Sequence, residues 1–90
     1  SLEINVYNAL AHVGIGNILF KIKNDVLAEK HLDKAVELDP AMTEAYIYLA
    51  AIKVRSQDFK GAALILNRGL VLDPAHEIGN MMKRELSQLD

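Results

Sequence analysis

Leu-Asp-Pro occurs twice, at Leu38-Asp39-Pro40 and at Leu72-Asp73-Pro74, and the two prolines stand 34 residues apart. A fixed period of that length, carried by helical patterning, restricts a chain to stacked helical hairpins and so constrains the fold more than composition does. Displacing the sequence by 34 pairs Gly16 with Ala50, Ile15 with Leu49, Ala28 with Ala62, Leu32 with Leu66 and Ala35 with Gly69. Small residues meet small ones and large meet large. The stretch from Thr43 to Pro74 reads as two amphipathic helices joined at Ser56-Gln57-Asp58, with an upstream copy before Pro40.

The chain divides on this period into one domain of residues 1–90: a lengthened start to the first helix (1–8), a first repeat (9–40), a second repeat (43–74) and a closing helix (75–90). The first helix carries two apolar stripes. Ile4, Ala11, Ile15, Ile18, Leu19 and Ile22 are expected to pack on the second helix of their own repeat, while Leu2, Val6, Leu10, Val13 and Phe20 face the front. Asn24-Asp25 suits a helix start, and the helix from Val26 to Leu38 turns Leu27, Ala28, Leu32, Ala35 and Val36 inward. Pro40 stops it and suits the first turn of the next helix. The closing helix is predicted from about Pro74 to Leu86, with Asp73 as its cap. Ile78, Met82, Leu86 and Leu89 can pack backwards there, whereas Gly79, Asn80, Lys83 and Arg84 occupy the positions that a further helix would need apolar. A polar outer face is how a stack of repeats ends.

The residues at the repeat positions resemble the tetratricopeptide repeat, a helix-turn-helix unit whose pattern runs aromatic, two residues, Leu-Gly, two residues, Tyr, then Ala, three residues, Phe, and finally Pro. The second copy offers Tyr46, Leu49-Ala50, Lys53, Ala62, Leu66, Gly69 and Pro74; the first offers His12, Ile15-Gly16, Leu19, Ala28, Leu32, Ala35 and Pro40. Departures are His12 for an aromatic, Leu19 and Lys53 for Tyr, and Gly69 for Ala. The resemblance covers residues 9–74 and implies an all-α chain of about five helices, antiparallel hairpins stacked as a short right-handed solenoid.

A net charge of −2, with ten Lys and Arg spread along the chain, leaves no clustered basic surface for phosphates, so no nucleic-acid partner is expected. No cysteine is present, which removes disulfides and thiolate metal sites, and no Asn stands two places before Ser or Thr. No apolar run approaches the ~20 residues of a membrane span. The chain opens at Ser1 without a leader or an initiator Met, as an excised piece of a longer protein would. The compartment is not written in it, and cytoplasm is the default.

Several local patterns point toward chemistry and fall short of it. His76-Glu77-Ile78-Gly79-Asn80 begins like the zinc motif His-Glu-x-x-His, but Asn80 stands where the second ligand must be. Gly14-Ile15-Gly16 lacks the preceding strand and the third Gly of a phosphate loop; Gly16 instead suits a close helix contact. His12 and His31 are lone helical histidines, and no serine or carboxylate pair has a catalytic context. No enzyme activity, cofactor or metal is expected.

What the resemblance implies is a protein-binding module whose first helices line a concave groove. Projected on this sequence, the groove takes Leu10, Val13, Gly14, Asn17, Phe20 and Lys21 from the first repeat and Glu44, Ile47, Tyr48, Ala51, Val54 and Arg55 from the second, with Met81 from the closing helix. Some family members clamp the C-terminal carboxylate of heat-shock chaperones with Lys, Asn, Asn, Lys and Arg. Only Asn17 matches, since Val13 and Tyr48 replace the first Lys and second Asn, and Ile78 and Met82 stand where the last two cations belong. The expected partner is an apolar or amphipathic peptide or helix. The alternative is self-assembly, in which the same apolar surfaces meet another copy and build a homo-oligomer.

Overall fold

The computed structural model describes residues 5–89, and five helices follow one another along them: α1 (Val6–Lys21), α2 (Asp25–Leu38), α3 (Thr43–Arg55), α4 (Phe59–Leu72) and α5 (Glu77–Ser87). No strand occurs among the described residues. Helices α1 and α2 form one antiparallel hairpin and α3 and α4 a second; α2 and α1 pack on α3, and α5 leans on α4. The chain is all-α and built of two helical hairpins plus one helix.

The 34-residue period is visible in the backbone itself. Lys23 and Gln57 are the non-glycine residues with positive φ, both at 65°, and they stand 34 apart. Each follows a helix end, and the chain then closes on the helix just left: Lys23 N–H donates to Phe20 and Asn24 N–H to Leu19, as Gln57 does to Val54 and Asp58 to Lys53. This left-handed cap satisfies the last carbonyls of α1 and α3 without glycine. The next helices open in matching fashion, with the Asn24 side chain accepting from Leu27 N–H and the Asp58 side chain from Gly61 N–H.

Both Leu-Asp-Pro segments make the same turn. Asp39 Oδ1 accepts from Ala41 N–H at 3.0 Å, and Asp73 Oδ1 from Ala75 N–H at 3.3 Å. Each aspartate therefore caps a turn and not a helix, which moves the following helix three residues past its proline. Helix α3 starts at Thr43, and α5 starts at Glu77 with His76 as its cap, in place of the expected start near Pro74 with Asp73 capping. The prolyl carbonyls are held too: Tyr46 Oη donates to Pro40 O and, 34 residues on, Asn80 Nδ2 donates to Pro74 O, both at 2.9 Å.

Two clusters make the core. The first gathers Ala9 and Val13 of α1, Ala28, Leu32 and Ala35 of α2, and Met42, Ala45, Leu49 and Ile52 at and along α3. The second joins Ile47 and Ala50 of α3 to Leu66 and Leu70 of α4, with Met82 and Leu86 of α5 packed against it. Half-buried Ile65 touches both. Leu32 and Leu66 are the largest fully buried side chains, each contributing about 1.5–3 kcal/mol of transfer energy. A Cβ on Gly16 would lie 2.7 Å from Leu32 Cγ, so α1 reaches α2 this closely only because Gly16 has no side chain.

Three expectations are corrected, the first at Leu27, which was expected to turn inward from α2 and is exposed. The stripe Ala11, Ile15, Ile18 and Ile22 was expected to pack on α2 but is exposed; α1 instead turns Ala9, Val13 and Gly16 inward, with Leu19 half-buried. The physical reason is the contact at Gly16, which fixes the rotation of α1 and carries residues three and seven places earlier to the same side. Ile78 is exposed, and Gly79 takes its packing place, lying against Leu70 and Ile47. Leu2 and Ile4 lie outside the described residues.

Candidate functional site

Three helix ends converge on one concave surface. Phe20 comes from the last turn of α1, Ala51, Val54 and Arg55 from the end of α3, and Met82, Glu85, Leu86 and Leu89 from α5 and its exit. They enclose a groove of about 480 Å³. Its floor is apolar because Ala51 and Val54 sit one turn beyond Ile47 and Ala50 of the second core cluster, against which Met82 and Leu86 of α5 also pack. A second depression, bounded by Gln57, Asp58, Phe59 and Lys60, shares Leu89 with it.

Arg55 is fixed at the rim by three contacts with two residues. Its guanidinium donates to Phe20 O at 3.0 Å, pairs with Asp25 Oδ1 at 2.9 Å and lies 3.8 Å over the Phe20 ring. The pairing neutralises Arg55 and holds the Phe20 ring as a wall. Among the described residues Glu85, the lining carboxylate, has no ion-pair partner, so the groove's residual charge is negative. Next to Phe20, at 6.2 Å between ring centroids, lies Tyr48. Burial, then the Glu44 carboxylate, push its phenol above 10.0.

The structure brings together Phe20, Ala51 and Arg55 of the groove residues expected from sequence, together with Val54. Tyr48, beside Phe20, and Asn17 are half-buried and do not line the groove; the Asn17 side-chain oxygen is enclosed and unpaired among the described residues. Val13 and Ile47 are core residues and offer no surface. Leu10, Lys21 and Met81 are exposed outside the groove lining, and Gly14 faces open space. Glu44 serves a structural contact: its Oε1 lies 2.7 Å from His76 Nε2. Because His76 Nδ1 accepts from Gly79 N–H at 3.0 Å, Nε2 must carry the proton and donate to Glu44. The zinc-like histidine is thus the N-cap of α5, tied across to α3.

Met82, Glu85, Leu86 and Leu89 were not assigned to the groove from sequence, although the period held the signal. Adding 34 to Tyr48, Ala51, Ile52 and Arg55 lands on these four residues. The expected Met81 is the equivalent of Ile47, which is buried. Elsewhere, His12 and His31 face each other across the first hairpin, Nδ1 to Nδ1 at 3.0 Å with rings stacked, one ring donating and the other accepting. No group of three or more His, Cys, Asp or Glu that could hold a metal occurs among the described residues. No helix there is long and apolar enough to cross a membrane. Compared with known protein families, with curated proteins and with solved structures, the chain matches none.

Proposed function

We propose that this chain is a tetratricopeptide-like protein-binding module that holds an apolar or amphipathic segment of a partner protein in the groove between α3 and α5. The observation that carries this reading is the groove itself: an apolar floor presented by three helices, with Arg55 already paired and Glu85 unpaired at the edge. Such a site fits a short helix or extended peptide that inserts a leucine-sized or aromatic anchor and sets a basic residue beside Glu85. The two 34-residue hairpins support the family resemblance, and the stacking of further repeats as a right-handed solenoid belongs to the same proposal. Binding without chemistry suits the lining, which holds one carboxylate and no nucleophile or histidine.

The test is a titration of the ¹⁵N-labelled chain with a panel of amphipathic helical peptides bearing Leu anchors, half with a flanking Lys and half with a flanking Glu. Shifts confined to Ala51, Val54, Met82 and Leu86, stronger for the Lys peptides, are expected. Val54→Asp should remove them with helix content unchanged, and Glu85→Lys should reverse the preference. Saturable binding that Val54→Asp leaves intact would refute the site.

A further inference from the structure

The two hairpins differ at a pair of places that, in the first, face each other across α1 and α2. His12 and His31 stand there, and the residues 34 further on are Tyr46 of α3 and Ile65 of α4. Two imidazoles take the place of a phenol and an aliphatic chain. Both rings are half-buried; their Nδ1 atoms lie 3.0 Å apart, with ring centroids at 5.2 Å and planes 29° from parallel. One Nδ1 carries the proton and the other accepts it, so the contact is built around a single hydrogen.

We infer that this pair is a proton-sensitive clasp, which holds the first half of α1 on α2 until both rings are charged and then lets it go. A neutral pair keeps the hydrogen bond, and so does a pair with one imidazolium, since the other ring still offers a lone pair. Two imidazolium rings offer none. They would set two N–H donors and two positive charges against each other at 3.0 Å. Among the described residues no carboxylate pairs with either ring to offset the second charge. From Val6 to Phe20 α1 carries no Asp, Glu, Lys or Arg. On α2, Asp25 is taken by Arg55 and Glu29 by Lys53, both of α3; Glu37 pairs with Lys34, and Asp33 lies beside Glu29 and Lys53. Lys30, next to His31, is exposed and adds positive charge.

What the clasp guards lies in the same turns of α1. Ala9 and Val13 enter the first core cluster with Leu32, and Asn5 N–H donates to Leu38 O at 3.3 Å, whereas the far end of α1 stays tied through Arg55, which donates to Phe20 O. Opening is therefore local, and it bares Val13 and Leu32. A lifted or unfolded α1 takes up both protons in the ordinary histidine range, about 6.5. The clasped form is thus favoured above that range and loses ground as pH falls through it.

The test is amide exchange of the whole chain at about pH 7.5 and about pH 5, taken as protection relative to the unprotected rate at each pH, with the histidine ring signals followed alongside. Protection at Leu10–Gly14 should fall at least about tenfold on acidification. The double variant His12→Tyr with His31→Ile, which copies the second hairpin's pair into the first, should lose less than about threefold, and so should His31→Gln, whose amide oxygen still accepts from a charged His12 and keeps the hairpin folded. His76→Asn removes the third histidine, leaves α5 a good cap and should respond as the parent does. Unchanged protection of α1 in the parent, two charged rings with α1 still protected, the parent's full response in His31→Gln, or its loss in His76→Asn would each overturn the inference. None of these outcomes bears on whether the groove binds peptide.

Discussion

Helices α1 and α3 hold equivalent places in their hairpins, yet Leu49 and Ile52 are buried where Ile15 and Ile18 are exposed. The residues are nearly the same and the environments opposite. What differs, among the described residues, is what packs against them: α3 has α1 and α2 to rest on. Side-chain type in a repeat therefore specifies which face is meant to be covered, and the neighbour decides whether it is.

Substitutions should separate the two helices sharply. Leu49→Ala leaves a cavity in the first core cluster and should cost about 2–5 kcal/mol, while Ile15→Ala, measured where the chain is monomeric, should cost less than ~1 kcal/mol; equal losses in denaturant melts would erase the distinction. Gly16→Leu forces a side chain into Leu32 and should lose about 1–3 kcal/mol, and Ala62→Leu, at the fully buried position of the second hairpin, should behave alike. Next comes His76→Ala, which removes the α5 cap and the tie to Glu44 and should cost about 1–2 kcal/mol. Lys23→Gly and Gln57→Gly act at matched left-handed turns, so each should stabilise by roughly 1 kcal/mol and by the same amount.

The smallest effect concerns the seam between hairpins. Desolvation, then the neighbouring Glu29 carboxylate, hold Asp33 above its ordinary 3.8, with Lys53 opposing them. Folding thus binds this proton more tightly, and the chain loses a little stability as pH rises from 3.8 through the raised value. Asp33→Asn should gain a few tenths of a kcal/mol at neutral pH. Below pH 3.8, where Asp33 is neutral folded or unfolded, the gain should vanish; a gain that persists there would assign it to another cause.

The 34-residue period and the close contact at Gly16 were legible in the sequence because small residues recurring at fixed distance have few explanations. The rotation of α1 was not. Apolar residues surround that helix, so two stripes competed, and only the approach at Gly16 decides between them. The α1 and α3 turn positions carry Lys23 and Gln57, which bear no mark of left-handed backbone. The α5 start was misplaced because Asp73 closes its own turn and leaves the cap to a histidine. Of the face projected from the two repeats, Phe20, Ala51 and Arg55 coincide with the groove lining, whereas the α5 wall required carrying the period one step further.

The two walls of the groove are not equally stiff. Helix α3 is built into both core clusters, but α5 rests on the second alone, through Gly79, Met82 and Leu86, and among the described residues one polar contact, His76 with Glu44, ties it to α3. Its amides should exchange with solvent fastest of the five helices, by swinging or fraying about the Asp73–Ala75 turn without disturbing the hairpins. A bound segment would spend part of its affinity on quieting that motion, and slowed exchange along α5 is therefore the most sensitive sign that the groove has been filled.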